Sequence, residues 1–183
     1  MKYLLTDLET DRLRFRKLES PDFEAWIELF KDQETVQFLG MSEFSSPEEC
    51  CKKWFEWTFH RYENDLGGQN ALICKATNQL VGQCGFLVRE IEGQCELEIA
   101  YSILPNFRNQ GFAYESANRC KIFAFENNFH HRLISMIFPE NISSKKTASK
   151  NGMTHGLTII YNQKKMELFE ITKKEFAIFL KNS

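Results

Sequence analysis

Arg108-Asn109-Gln110-Gly111-Phe112-Ala113 is the stretch of this 183-residue chain whose residue types and spacing point most directly to chemistry. It follows an apolar alternating run over residues 96–104 and opens a run of helical spacing that starts at Gly111. A strand, a tight turn and a helix start carrying small residues make an anion site. The free N–H groups of a first helical turn point outward, and the helix dipole favours negative charge there. Glycine lets a ligand approach the backbone closely. The pattern predicts a phosphate-bearing ligand held by main-chain atoms of residues 108–113.

Two other places carry polar groups of interest. Alternation through the preceding strand puts Glu96, Glu98 and Ala100 on one face and Leu97, Ile99 and Tyr101 on the other. It leaves open whether the carboxylate face is a site or solvent. Downstream, Asn141 stands where an N-cap belongs, with Ser144 in the first turn behind it. Lys145 and Lys146 read equally well as anion contacts or as a solvated face.

The elements that must position these residues follow from periodicity and caps. Arg12-Leu13-Arg14-Phe15-Arg16 alternates as a half-buried strand. Ser20-Pro21-Asp22 reads as a helix start with Ser20 as cap, ahead of an apolar stripe of Phe23, Trp26, Ile27 and Phe30. Ser46-Pro47-Glu48-Glu49 is a capping box for a helix reaching about Tyr62, and residues 36–41 between the two helices read as an apolar loop. Gly67-Gly68 ends the helical half. Residues 71–75, 80–88 and 95–104 then form three strands with short connections, an antiparallel meander. A helix over residues 111–127 leads to a strand at 132–138, which should lie parallel to the strand before that helix. A short helix at 141–151 stops at Gly152, a hairpin pairs 157–161 with 166–171, and Thr172-Lys173-Lys174-Glu175 caps a terminal helix. The expected fold class is α/β (α+β): one domain over residues 1–183, with a mixed, mostly antiparallel sheet of about six to seven strands flanked by helices.

Bulk properties narrow the class. A formal net charge of −2 argues against general nucleic-acid binding, which wants a basic excess. No apolar run approaches the roughly 20 residues that span a bilayer. The first residues lack the apolar core of a signal peptide, so the expected compartment is cytoplasmic, with no membrane partner. The six cysteines show no C-x-x-C and no metal spacing with the histidines, so no metal is expected and most should be reduced, small core residues.

Taken together, Glu98-Ile99-Ala100-Tyr101-Ser102-Ile103-Leu104-Pro105 and the following Arg108–Ala113 segment resemble the R/Q-x-x-G-x-G/A cofactor motif of GNAT N-acetyltransferases. His131-Arg132, Pro139-Glu140-Asn141-Ile142-Ser143-Ser144 and Lys150-Asn151-Gly152-Met153 resemble the second block of the ribosomal-protein (Rim-type) branch. Thr10-Asp11-Arg12-Leu13 and Phe169-Glu170-Ile171-Thr172 fit the same branch, so the likeness covers nearly the whole chain. Tyr114, where a small residue is usual, and the polar run Lys145-Lys146-Thr147-Ala148 depart from it.

The resemblance implies a central parallel strand pair that splays apart, with acetyl-CoA (coenzyme A) between the two strands. Ile103 and Leu104 would hold the pantetheine arm through their main chain, with a backbone N–H near Leu104 polarising the carbonyl. Arg108, Asn109, Gln110, Gly111, Phe112 and Ala113 would cradle the pyrophosphate, with Arg108 adding charge. Asn141 would contact the arm and Lys146 the phosphates. The implied reaction is direct acetyl transfer to a primary amine, with Glu98 as base and Ser144 protonating the departing thiolate. A base is required because an amine with pKa near 10.4 is neutral in only about one molecule in a few thousand at pH 7. The acceptor, a protein N-terminal α-amine or a small-molecule amine, stays open, as do the oligomeric state (a homodimer included) and a non-catalytic acyl-CoA-sensing alternative.

Overall fold

The computed structural model describes residues 2–181. The chain enters through β1 (Leu13–Arg16), passes α1 (Phe23–Trp26), α2 (Gln33–Phe38) and α3 (Pro47–Glu63), and then builds the meander β2 (Gly67–Cys74), β3 (Leu80–Ile91) and β4 (Gln94–Ile103). α4 (Phe112–Glu126) leads to β5 (Arg132–Ile137), α5 (Ile142–Lys150), the hairpin β6 (Thr154–Tyr161) and β7 (Lys164–Thr172), and α6 (Lys173–Lys181). The seven strands form one sheet in the order β1-β2-β3-β4-β5-β7-β6. Every neighbouring pair is antiparallel except β4 with β5, as the intervening helix requires.

Both faces of the sheet are covered, which is why β2 is buried at seven successive positions rather than alternating. α4 packs Phe112, Ala117, Cys120 and Ala124 on one face against Val81, Phe86, Leu97 and Ile99. On the other, Trp26, Leu29, Phe30, Cys51 and Phe55 close over Ala71, Ile73 and Leu80. Cys50, Cys51, Cys84 and Cys120 are buried and unlinked, as expected for small core residues, whereas Cys95 is exposed.

The local start signals hold where a side chain can reach its own backbone. Ser46 Oγ accepts from Glu49 N at 3.1 Å, although Glu49 reaches back to Ser45 rather than to Ser46. Thr172 and Glu175 form a reciprocal box. Four expectations need correction. Residues 36–41 are not a loop: Val36 to Phe38 complete α2, capped by Asp32, whose carboxylate accepts from Glu34 N and Thr35 Oγ1. Ser20 is not the cap of the first helix. Glu19 takes that position, and Asp22 is drawn into a bidentate pair with Arg16 at 2.7 Å for both bonds. The stripe Phe23, Trp26, Ile27, Phe30 breaks into a single α turn followed by a 3₁₀ turn over Ile27–Lys31, with Trp26, Leu29 and Phe30 all buried. β2 starts at Gly67 and not at the expected residue 71, so Gly67-Gly68 closes the helical half as the first residues of a strand. Both have positive φ, and a side-chain carbon at Gly67 would run into the Phe86 carbonyl.

Candidate active site

β4 and β5 pair at a single position, Glu98 with Ile134, and then part. What ends the ladder is side-chain chemistry. Glu98 Oε1 takes the Met136 N–H at 3.3 Å and Ser135 Oγ donates to the Ile99 carbonyl at 2.8 Å, occupying groups a longer ladder would pair. Glu98 is 5 % exposed and its other oxygen binds Arg89 Nε at 2.6 Å. The carboxylate face of β4 is thus interior, not solvent.

Beyond the parting strands lies a cavity of about 520 Å³ bounded by the end of β4, the start of α4, the first turns of α5 and the underside of α2. Ile103, Arg108, Asn109, Gly111, Phe112, Ala113, Asn141, Ser144 and Lys146 all line it. The turn into α4 owes its shape to two left-handed residues, Asn109 at φ 61° and Gly111, the N-cap, at φ 84°. Main-chain N–H groups of the first helical turn lack intrahelical acceptors, and here that turn faces the cavity. Arg12, far away in sequence, braces the turn. Its Nη1 donates to the Gln110 carbonyl at 2.9 Å, its guanidinium lies over the Phe112 ring at 4.5 Å, and it pairs with Glu115 at 2.6 Å. Burial alone would raise the Glu115 pKa, but the bonds from Thr10 and Arg12 outweigh it and hold the carboxyl below its usual range.

Three expected contacts are arranged differently. The Arg108 guanidinium is engaged by the protein itself: Nη1 to Asp32 Oδ2 and Nη2 to Thr35 Oγ1, both 2.7 Å, and Nε to the Ile103 carbonyl at 3.2 Å. Its charge therefore serves α2 before any phosphate, and those bonds lower the Asp32 pKa, Arg108 contributing most. The Leu104 N–H is committed to the Val81 carbonyl at 3.0 Å and Leu104 lies outside the cavity lining, so it is not a free donor for a carbonyl. Gln110 gives its carbonyl to Arg12 and its side chain to Asn106, and Glu98 and Gln110 are likewise absent from the lining.

At the opposite wall Asn141 is an N-cap, its Oδ1 accepting from Ser144 N at 3.0 Å. Of the lysine pair, Lys145 is tied to Glu167 at 2.6 Å while Lys146 remains at the cavity. Sequence reasoning missed Tyr101, which lines the cavity and donates its hydroxyl to the Ser144 carbonyl at 3.0 Å, joining β4 to α5 across the gap. Burial raises the Tyr101 pKa, so the phenol stays protonated. Tyr114 stands in the cavity wall, its ring 4.4 Å from Lys150 Nζ, which lines the same wall. Among the described residues there is no cluster of ligands for a metal ion and no helix long and apolar enough to cross a membrane.

The acetyltransferase (GNAT) domain model matches residues 12–154, from the bracing arginine to the start of β6. The chain belongs to the GNAT acetyltransferase family. It is 29% identical over 170 residues to protein YkkB of Bacillus subtilis, covering 90% of this chain and 95% of that one. In structure it is similar to RimL, a ribosomal L7/L12 alpha-N-protein acetyltransferase solved with coenzyme A, at 16% identity and a TM-score of 0.71 over 91% and 97% of the two chains. The spermidine N-acetyltransferase of Vibrio cholerae, solved with coenzyme A and spermine, matches at 15% identity and a TM-score of 0.71 over 92% and 99%. As a GNAT enzyme the protein is an acetyltransferase that uses acetyl-CoA. The residues present fit that group: parted strands for an extended arm, a glycine-capped helix start for a pyrophosphate, and Lys146 on the wall of the same cavity.

Proposed function

We propose that this GNAT enzyme moves an acetyl group directly from acetyl-CoA to a primary amine, and that no cysteine of the chain carries it in between. The observation that carries this reading is a single cavity joining the α4 turn, the free end of β4 and the first turn of α5. When bound, the thioester supplies an acetyl carbon already activated toward an amine. The α4 turn, with Lys146, holds the phosphates, and Ile103 and Asn141 flank the arm. Ser144, in the first turn of α5, donates a proton to the departing thiolate, and the wall that Tyr101 fastens keeps its turn against β4. Glu98, outside the cavity lining, accepts through water the proton that the acceptor ammonium must lose before its nitrogen can attack.

Both acceptor classes, a protein α-amine as for RimL and a polyamine as for the spermidine enzyme, suit a GNAT scaffold. Thiol release measured against N-terminal peptides, spermidine and aminoglycosides tests the reading: at least one amine should raise release well above hydrolysis. Glu98→Gln keeps an acceptor for Met136 N–H and a partner for Arg89 but removes the base. If Glu98 handles the proton, kcat falls by about 100-fold or more with the fold intact, in the range usual for general bases. A rate within a factor of a few of the parent shows that Glu98 only holds the strands apart.

A further inference from the structure

Arg12 holds one peptide group of the α4 turn, and its bonding decides which way that group faces. The unit joining Gln110 to Gly111 is trans, so its C=O and N–H point in opposite directions. Arg12 Nη1 donates to the Gln110 carbonyl at 2.9 Å, and neither Arg12 nor Gln110 belongs to the cavity lining. Gly111 does belong to it. With the oxygen held on the far side, the Gly111 N–H is turned to the cavity, where it has no acceptor among the described residues.

Nothing in the turn itself fixes that choice. Rotating the peptide by half a turn carries φ of Gly111 from 84° to the negative side, where glycine sits as readily. Gln110, outside the left-handed region, has both its helical and its extended ψ open to it. The rotated peptide would aim a carbonyl oxygen at the cavity, where a phosphate oxygen has to sit. Arg12 is anchored against this. Thr10 Oγ1 and the Arg12 N–H both donate to Glu115 Oε1, at 2.5 and 3.1 Å, and Arg12 Nε donates to Glu115 Oε2 at 2.6 Å. The carboxylate thus fastens the approach to β1 onto the first turn of α4, and the guanidinium lies over the Phe112 ring. The Arg12 side chain is 47 % exposed, and an ion pair that open contributes little to stability. What the arrangement supplies is orientation.

Resting on the reading of residues 108–113 as the pyrophosphate cradle, we propose that Arg12 is a positioning residue for coenzyme A. Acting through the Gln110 carbonyl, it keeps the Gly111 N–H facing the pyrophosphate. A second effect of Arg12 runs in the same direction. Glu115 puts a negative charge in the helical turn where the pyrophosphate docks, and Arg12 neutralises it. Loss of Arg12 therefore weakens binding by charge alone, even with the peptide still correctly turned.

Titration with coenzyme A separates the two effects. Arg12→Met keeps the contact over Phe112 but has no donor. It should weaken binding about tenfold, as when only about one molecule in ten keeps the N–H inward. Arg12→Lys, which can still donate to the Gln110 carbonyl, should stay within about threefold of the parent. Glu115→Gln leaves Arg12 its bond to Gln110 and should also bind within about threefold. Arg12→Met/Glu115→Gln removes the stray charge as well, and should remain about as weak as Arg12→Met. The Gly111 amide proton, followed by NMR, reports the orientation itself. Coenzyme A should shift it downfield in the parent and in Arg12→Lys, but not in Arg12→Met, while the amides of β2 to β5 show that each variant folds. Parent affinity in Arg12→Met overturns the inference. So does recovery of affinity in the double variant, which assigns the effect to charge. A parent that binds no coenzyme A, or whose Gly111 amide the coenzyme leaves unshifted, takes the cradle reading down as well. None of these measurements needs an acceptor amine, so they stand apart from the test of acetyl transfer.

Discussion

Arg108 shows how far a residue's neighbours can redirect a motif. Its place beside a phosphate cradle is plain from spacing, yet its partners Asp32 and Thr35 lie more than 70 positions away in sequence. No local pattern announces such a pairing. Arg108→Ala should therefore loosen α2 and raise KM for the amine about tenfold, while the acetyl-CoA affinity changes by less than about threefold, because the charged bonds lost are internal. Steady-state kinetics with each substrate varied in turn separates the two effects. A loss confined to acetyl-CoA would return the guanidinium to the phosphates. Gly111 is the opposite case, a residue whose role its type alone announces. Its φ of 84° is strained for any side chain, and a methyl there would meet Arg12 Nη2 at 3.4 Å. Gly111→Ala should cost about 1–2 kcal/mol at the α4 turn and weaken coenzyme A binding by roughly tenfold, read by titration. Asn141 and Ser144 were equally readable, because a cap and its first turn are local events.

Among the elements, those ruled by short-range geometry emerge from sequence and those ruled by tertiary demand do not. The hairpins, the Ser46 cap of α3, the capping box of α6, and the parallel return of β5 all follow from local spacing or from the hand of a crossover. α2 does not, because Thr35 and Val36 are poor helix formers and the helix exists through the Asp32 cap and its tie to Arg108. Asp32→Ala should destabilise α2 by about 1 kcal/mol, seen as faster amide exchange over residues 33–39 before any global change. The same carboxyl gives α2 a pH dependence. Arg108 and Thr35 depress the Asp32 pKa below its ordinary 3.8, so its contribution is complete above that value and is lost as pH falls below it. Exchange in α2 should accelerate in that acid range, and Asp32→Ala should abolish the dependence.

At the scale of the whole molecule, one sheet with a core on each face parts in its own middle, and the gap is held by Glu98, Ser135 and Tyr101 rather than by missing strands. The class of fold was readable because alternation, turn residues and helix spacing survive in each segment. The interior face of β4 was not, since two buried glutamates look like solvent residues until Arg89 and Arg132 are seen beside them. A further buried charge tests this packing. Burial pushes the Lys121 ammonium from 10.5 to about 8, with its Nζ donating to the Asn151 carbonyl at 2.6 Å. Between those values the folded chain has released a proton that the unfolded chain retains, so this group adds stability as pH rises from 8 to 10.5. Lys121→Met should remove that slope in urea unfolding across the range. The central claim is amine-directed acetyl transfer, and it is tested most directly by incubating the protein with acetyl-CoA and a panel of peptide and small-molecule amines, following thiol release and the mass of the amine together. Release that depends on an amine, matched by one acetyl group gained on it, is the predicted result. Saturable coenzyme A binding with no release above hydrolysis for any amine would contradict it.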